Sequence, residues 1–475
     1  MGREQRRAGS RRPGREHDRE IVRLAFPAFL ALVAEPLYLL ADAAVVGNLG
    51  TAQLAGLGIA GVVLQTVVGL CVFLAYGTTA TVARRLGAGD RAGALSAGVD
   101  GLWLAVALGV VLTAVGLAVA GPVVEAFGAS PAVTAYAGDY LRPALLGVAP
   151  LLLVLAGTGV LRGLQDTRTP LLVAIGGNLL NVVLNVVLVY GVGPLPPLGI
   201  AGSAIGSVVA QTLSALVLVA VVVRAARRAR SSLRPRGGAV VAAARASVPL
   251  LVRTLTLRAS LLVTTYAVTL GVASAGAGGG TGDVELATHQ LAMTLWTFTA
   301  FALDAVAIAA QAITGRFLGA GDVDGTRAVT RRMVTWGVWS GVVTGVLLAL
   351  AAPVLGPLFS PDAAVRELLV PVLLVAALAQ PLAGVVFVLD GVLIGAGDGT
   401  YLAWSGLLVL LLHAPVALVV AGAGGGLVAT WVVFVTVFMG GRGVVLLHRA
   451  RGSAWLVTGA ADPGRGEAGR PHGAS

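Results

Sequence analysis

Apolar runs long enough to cross a lipid bilayer recur along nearly the whole chain. A hydrocarbon core of about 30 Å needs about 20 helical residues, and a chain that is 57% hydrophobic and only 12% charged lies far outside the composition of soluble proteins. We therefore predict an all-α integral membrane protein with twelve transmembrane helices. The predicted spans are 21–50, 55–82, 95–120, 140–161, 170–192, 200–223, 247–274, 286–313, 332–356, 368–394, 401–421 and 425–447.

The distribution of arginine predicts which loops face the cytoplasm. All 33 basic residues are arginines, and 30 of them lie in the two tails and in the loops that follow every second span. The opposite loops hold only Arg142 and Arg366, and Arg258 falls within the seventh span. Since cytoplasmic loops carry the excess of basic residues, we predict a multi-pass membrane protein with both termini in the cytoplasm.

The residue types exclude several function classes. Without lysine the chain cannot carry the Walker A lysine of a P-loop ATPase, so any energy coupling must come from an ion gradient or a separate subunit. The net charge of +11 resides in the loops, so no nucleic-acid partner is expected. The single Cys71 leaves no disulfide framework and no cysteine metal cluster. We expect no enzyme, no metal site and no resident cofactor.

Two pairs of loop motifs indicate an internal duplication. RRLGAGD at 84–90 matches RFLGAGD at 316–322, and LRGLQD at 161–166 matches LIGAGD at 393–398, both at an interval of 232 residues. The interval spans six helices, an even number, so the two lobes have the same orientation and are related by an axis along the membrane normal. The predicted domains are a cytoplasmic Arg-rich tail (1–20), an N-terminal lobe (21–223), a cytoplasmic linker (224–246), a C-terminal lobe (247–447) and a cytoplasmic disordered tail (448–475).

The first span carries two carboxylic acids. Glu35, Tyr38 and Asp42 are spaced i, i+3, i+7 and share one helical face, while Pro36 between them allows a bend. A carboxylate at the bilayer centre costs at least about 2.5 to 3.5 kcal/mol on insertion scales, so such a group usually faces a water-filled cavity or an ion path. Asp42 is therefore a candidate proton carrier. The alternative is a structural acid that a neighbouring helix satisfies.

Helices 5 and 6 supply polar side chains that could meet this face. Asn178, Asn181 and Asn185 fall at i, i+3, i+7, and their amides offer both donors and acceptors. They suit partnering Asp42, coordinating a small cation or holding a drug. Helix 6 adds Ser203, Ser207 and Gln211 at i, i+4, i+8. Hydrogen bonding between helices is the alternative role for both groups.

The C-terminal half carries a second set of polar residues within apolar spans. They are Gln290, Thr297, Asp304 and Gln311, which recur every seven residues on helix 8, with His289 beside the first, and Gln380, Asp390 and Arg258 on helices 10 and 7. An unbroken polar stripe through an apolar helix must face protein or water. Arg258 could neutralise Asp304 or Asp390, which makes a structural ion pair the alternative to a substrate site. His289, near the outer end, is either a packing residue or a sensor.

These segments resemble a known family over nearly the whole chain. The resemblance rests on EPLYLLADAAVVGNLG at 35–50, the two LGAGD loops, RGLQDTRTP at 162–170, NLLNVVLN at 178–185 and VLDGVLIGAGD at 388–398. In these motifs and their order the chain is similar to the multidrug and toxic compound extrusion (MATE) transporters of the DinF-like branch. The resemblance implies two six-helix lobes around a central cavity, rocker-switch alternating access, and export driven by inward H+ or Na+.

The resemblance also implies roles for particular residues. In that family the acid of helix 1, here Asp42, is the coupling residue, and it works with helix 5 groups that match Asn181 and Asn185. Many DinF-like members carry Asp where this chain has Asn185. That departure removes one titratable carboxylate and leaves Asp42 as the main candidate for protonation.

The function predicted from the sequence is secondary active export of small xenobiotic molecules. We expect a monomeric multidrug antiporter, surrounded by membrane lipid, that exports organic cations in exchange for H+ or Na+. The alternative is a flippase of lipid-linked precursors from the same superfamily, which would be expected to have a strongly cationic cavity. One arginine and several acids within the spans favour cation export. The choice between H+ and Na+ stays open.

Overall fold

The computed structural model describes residues 13–274 and 279–460, and these residues form helices and connecting loops without any β-strand. Apolar runs that cannot leave backbone groups unpaired in lipid must form helices. The elements are α1 (Pro13–Gly47), α2 (Thr51–Cys71), α3 (Phe73–Gly87), α4 (Arg91–Glu125), α5 (Pro131–Leu145), α6 (Val148–Gly163), α7 (Arg168–Tyr190), α8 (Gly199–Arg228), α9 (Gly237–Ser274), α10 (Gly279–Gly319), α11 (Val323–Phe359), α12 (Ala363–Gly395), α13 (Gly399–Gly422), α14 (Gly426–Val433), a π-helical segment (Phe434–Met439) and α15 (Gly440–Arg451).

Within the described residues, eleven helices are long and apolar enough to cross a membrane. The pair α5 and α6, bent by 49° at a short break, brings the number to twelve if it forms one span. Each predicted run coincides with one of these helices or helix pairs, so the prediction of an all-α membrane fold is confirmed. Several helices extend beyond their predicted ends, because a helix continues past the charged residues at which an apolar run stops.

The two predicted tails lie only partly within the described residues. Residues 13–20 form the first turns of α1. At the other end, α15 continues to Arg451, and Trp455 is buried beyond it. The helices therefore reach into both predicted tails, and residues 1–12 and 461–475 of these tails lie outside the described residues.

The helices divide into two compact units. The N-terminal unit contains Leu30–Val248 with the short segment Gly319–Gly321, and the C-terminal unit contains Pro249–Leu318 and Asp322–Thr458 together with residues 13–29 of α1. Helix α1 therefore contributes its first turns to one unit and the segment that carries Asp42 to the other.

Small residues allow two helices of the N-terminal unit, α7 and α8, to approach closely. A Cβ atom at Gly202 of α8 would lie only 2.6 Å from the carbonyl oxygen of Leu188 on α7. One turn further along α8, a Cβ at Gly206 would lie 2.4 Å from Asn185 Oδ1. Glycine at these two positions lets the helix backbones meet, and it brings the polar residues of α7 beside those of α8.

Candidate functional site

Asp42 is buried in the N-terminal unit, with 3% of its surface exposed, and it accepts hydrogen bonds from three other helices. Its Oδ1 atom accepts from Asn185 Nδ2 of α7 at 2.9 Å and from Ser203 Oγ of α8. Its Oδ2 atom accepts from the Tyr140 hydroxyl of α5 at 3.1 Å. Hydrogen bonds to a charged acceptor are the strong ones, so the carboxylate ties α1 to α5, α7 and α8.

The hydrogen bonds continue away from the carboxylate through the amides of α7. Asn185 Nδ2 also donates to Asn181 Oδ1 at 3.0 Å, and Asn181 Nδ2 donates to Ser207 Oγ at 2.9 Å. Ser207 Oγ lies 2.9 Å from the hydroxyl of Tyr38, which returns the chain of contacts to α1. We call Asp42, Tyr38, Tyr140, Asn181, Asn185, Ser203 and Ser207 the Asp42 network.

Most of the residues predicted for the N-terminal half meet in this network. Asn178 does not join it, because its amide donates instead to the carbonyl oxygen of Ala34 at 2.8 Å. That contact fixes α7 against α1 beside Pro36. Glu35 is exposed and takes no part in the network, although it shares a helical face with Asp42.

Tyr140 is the one member of the network that the sequence analysis missed. It lies on α5, near Arg142, in a stretch whose pattern gave no polar stripe. A single tyrosine in an apolar span is itself a weak signal, since a buried tyrosine usually finds a hydrogen-bond partner. Nothing in the spacing indicates that this partner is Asp42.

The network holds a carboxylate with neutral donors alone. None of the ion pairs among the described residues involves Asp42. Asn185 Oδ1 is buried and accepts no hydrogen bond from the described residues. Because no fixed cation compensates Asp42, its charge is free to be cancelled by a proton or a small cation, and Asn185 offers an adjacent acceptor.

The C-terminal unit contains an ion pair of the kind predicted as an alternative for Asp304 or Asp390, but it forms at Asp390 and its partners are not Arg258. Asp390 on α12 forms an ion pair with Arg253 on α9, and Arg442 on α15 lies 3.6 Å from its other oxygen. Arg258 is exposed. Arg253 and Arg258 are five positions apart on α9, so their side chains point about 140° apart around the helix. Arg253 and Arg442 therefore lie on helices beside Asp390 and not in loops.

The predicted stripe on α10 runs from an exposed to a buried end. Gln290 and Thr297 are exposed, Asp304 is half-buried and Gln311 is buried. Gln380 of α12 is also buried, and its amide donates to Thr299 Oγ1 at 3.1 Å. These contacts give Gln380 a structural partner on α10.

The comparison with known protein families shows the same internal duplication as the loop motifs of the sequence. The family model for MatE matches residues 27–187 and again residues 259–419. The second match begins and ends 232 positions after the first, which is the interval between the repeated loop motifs. The chain belongs to the MatE family. The predicted resemblance to the MATE transporters is thereby confirmed.

Individual MATE proteins align over most of the chain. It is 29% identical over 434 residues to Protein DETOXIFICATION 44, chloroplastic, of Arabidopsis thaliana, covering 87% of this chain and 78% of the plant protein. It is 29% identical over 399 residues to DNA damage-inducible protein F of Escherichia coli (strain K12), covering 81% of this chain and 82% of the bacterial one. The second similarity supports the DinF-like branch.

A solved structure supports the same fold. A MATE protein crystallised in complex with MaD3S has a TM-score of 0.81 to this chain at 23% identity, over 92% of this chain and 97% of that one. The protein is therefore a multi-pass membrane transporter of the multidrug and toxic compound efflux family, and the Asp42 network lies within the first of its two family matches.

Proposed function

We propose that this MATE protein is a secondary active antiporter that exports organic cations in exchange for H+ by alternating access. The observation that carries the proposal is the Asp42 carboxylate, buried among neutral donors and without a partner cation in the described residues. It acts as a monomer in the bacterial plasma membrane with both termini in the cytoplasm. It needs no resident cofactor and does not alter its substrate chemically.

The coupling energy is sufficient for efflux. One elementary charge moving across 100 mV supplies about 2.3 kcal/mol, and a difference of one pH unit supplies about 1.36 kcal/mol. Together, about 3.7 kcal/mol per proton sustains a gradient of several hundred-fold for a neutral substrate.

The donors around Asp42 favour H+ over Na+ as the coupling ion. A hard cation is held by several oxygen ligands, whereas Asn185 presents its nitrogen to Asp42 and not its oxygen. The hydroxyls of Ser203 and Tyr140 both donate to the carboxylate as well. A proton needs only a single acceptor, so this donor-rich surrounding suits H+.

Protonation changes what the network can do. An ionised Asp42 accepts three hydrogen bonds, whereas a protonated Asp42 has an O–H group that must donate. Rotation of the Asn185 amide would present Oδ1 to that O–H group, and it would also disturb the contact with Asn181 Oδ1. Proton uptake from outside thus loosens α1 from α7 and α8, lets α1 bend at Pro36, and expels the substrate.

The test is transport in proteoliposomes. An imposed pH gradient should drive a fluorescent organic cation across the membrane for the wild type, and Asp42→Asn should abolish that flux. Asp139→Asn is the matched control, because Asp139 is an exposed carboxylate on α5 in the same unit. Undiminished flux in the Asp42 variant would overturn the proposal. Replacing the pH gradient by a Na+ gradient separates the two coupling ions.

The alternative is a flippase for lipid-linked precursors of the same superfamily. The buried arginines of the C-terminal unit do not favour it, since Arg253 and Arg442 both lie against Asp390. A competition assay against the fluorescent cation decides between them. Organic cations should compete, and competition by lipid-linked phosphates alone would favour the flippase.

A further inference from the structure

His289 on α10 is a buried imidazole that contacts a threonine of the neighbouring helix α9. Only 2% of its surface is exposed, and its Nε2 atom lies 3.1 Å from Thr265 Oγ1 of α9. The Thr265 hydroxyl has one hydrogen, which it donates to the carbonyl oxygen of Leu261 at 3.2 Å. When the Thr265 hydroxyl donates to Leu261, His289 Nε2 is the donor to Thr265. Its Nδ1 atom then carries a lone pair, and no described residue donates to it.

One tryptophan ring packs against His289, and a second packs against the first. The ring of Trp431, on α14, lies edge-on at 6.0 Å between centroids, and Trp296 lies 6.3 Å from Trp431. Trp431 is fully buried, and its indole N–H has no acceptor among the described residues. Trp431 is the tryptophan in ring contact with His289, so its fluorescence can report a change in the charge of that imidazole.

A carboxylate lies one helical turn before His289. Glu285 precedes it by four residues on α10, which places both side chains on one helical face. Glu285 is half-buried, and its Oε1 atom lies 4.0 Å from the point at which a Cβ on Gly426 would stand, at the start of α14. Glu285 and His289 thus lie toward the end of α10 that is opposite the arginine-rich loops.

The described elements around His289 carry several other charged or titratable groups. They are Asp283, Asp304 and Arg316 on α10, Arg245, Arg253, Arg258 and Tyr266 on α9, and His413 on α13, while α14 and the π-helical segment carry none. Asp283, Arg258 and Tyr266 are all exposed. His413 contacts Thr264 on another side of α9. Glu285 is the carboxylate that lies one helical turn from His289 on the same face.

We infer that Glu285 and His289 form a second proton-binding site, located in the C-terminal unit, with His289 Nδ1 as the buried acceptor and Glu285 as its entrance. A proton taken up by the Glu285 carboxylate passes to Nδ1, and the resulting imidazolium keeps its donation from Nε2 to Thr265. The inference concerns proton binding alone, so it does not depend on whether the protein couples export to H+.

His413 provides a matched comparison. Its Nε2 atom lies 3.0 Å from Thr264 Oγ1, and that hydroxyl likewise donates to a backbone carbonyl, that of Ser260, at 2.9 Å. One turn before and after it on α13 lie Val409 and Ala417, so no carboxylate accompanies it. Its ring neighbour is Phe438 at 5.6 Å and not a tryptophan.

Tryptophan fluorescence reports the site directly, because a protonated imidazole quenches a neighbouring indole. The purified full chain in lipid nanodiscs is titrated from pH 8 to pH 4. The wild type should show a reversible quenching step, His289→Gln should lose it, and His413→Gln should retain it. Glutamine keeps a donor near the Nε2 position, so the contact with Thr265 is preserved. In stopped-flow pH jumps, Glu285→Gln should slow the step by about tenfold or more, since a positioned carboxylate is expected to relay the proton.

Three results would overturn the inference. The first is a His289→Gln titration that superimposes on that of the wild type, and the second is equal loss of the step in His413→Gln. The third result comes from Trp431→Phe, which removes the reporting indole and replaces His289→Gln as the test if that variant does not fold. A quenching step that persists unchanged in Trp431→Phe would show that the signal does not come from this site.

Discussion

Asn185→Asp would place a second carboxylate against Asp42, at a position where the wild-type amide donates a hydrogen bond. Asn185 Nδ2 and Asp42 Oδ1 are 2.9 Å apart. Two unit charges at that separation repel by about 6 kcal/mol at an effective dielectric constant of about 20, which is about four factors of ten in population. The variant site therefore holds either one shared proton or a bound cation.

The expected result is a protein that has gained a Na+ response. Thermal stability is measured at pH 8 in rising NaCl, with choline chloride as the reference salt. The variant should become more stable as Na+ rises, by about 2.7 kcal/mol at a hundred times the dissociation constant, and the wild type should respond to neither salt. Asn178→Asp is the matched control, because Asn178 lies on the same helix but donates to the Ala34 carbonyl.

Two outcomes would refute this reasoning. If Asn185→Asp showed no Na+ response and exported substrate at the wild-type rate, residue 185 would not determine the charge of the site. If Asn178→Asp gained the same response, the effect would belong to any added carboxylate on α7 and not to the contact with Asp42.

Three further substitutions test the packing and the hydrogen bonds. Tyr140→Phe removes a hydrogen bond to a charged acceptor, worth about 1.5 to 3 kcal/mol, and should reduce proton-driven flux at least about tenfold. Tyr136→Phe, one turn away on α5, should transport normally, and equal flux in the two variants would show that Tyr140 is not part of the site. Gly206→Ala should impair flux because its Cβ would lie 2.4 Å from Asn185 Oδ1, whereas a Cβ at Gly176 on α7 would meet open space. If Gly206→Ala and Gly176→Ala transported alike, the close packing at Gly206 would not matter for transport. Arg253→Gln leaves Asp390 with Arg442, at 3.6 Å, as its remaining cationic partner, and should lower the free energy of unfolding by at most about 3 to 5 kcal/mol. Thermal unfolding in detergent measures the change, and an unchanged melting temperature would count against the ion pair.

The sequence predicted the spans because a bilayer imposes a length and an apolar composition on every crossing helix. It also predicted which side chains share a helical face, since the spacing of Tyr38 and Asp42 places them on one face of α1 regardless of which helix packs against that face. It could not predict what the opposite helix presents. Tyr140 reaches Asp42 only through the packing of α5 against α1, and no pattern within α5 encodes that partner.

The error over Arg258 has a related cause. A hydropathy run weakens where charge begins, so Arg253 was counted among the arginines of the loops although α9 continues through it. A buried arginine that is paired looks the same in the sequence as an arginine in a loop. The ion pair with Asp390 depends on the rotation of α9, which the pattern of apolar residues fixes only to within a broad arc.

The duplication extends to the helices but not to the chemistry of the site. Positions 232 residues beyond Asp42, Asn181 and Asn185 hold Ser274, His413 and Ala417, so the second family match repeats the fold without the carboxylate or its amide donor. An antiporter built from two equivalent units would bind one proton at the same position in each unit. If Asp42 is the coupling carboxylate, the energy of the proton gradient enters through the N-terminal unit, and a proton bound at His289 in the C-terminal unit must serve a different step from the one at Asp42.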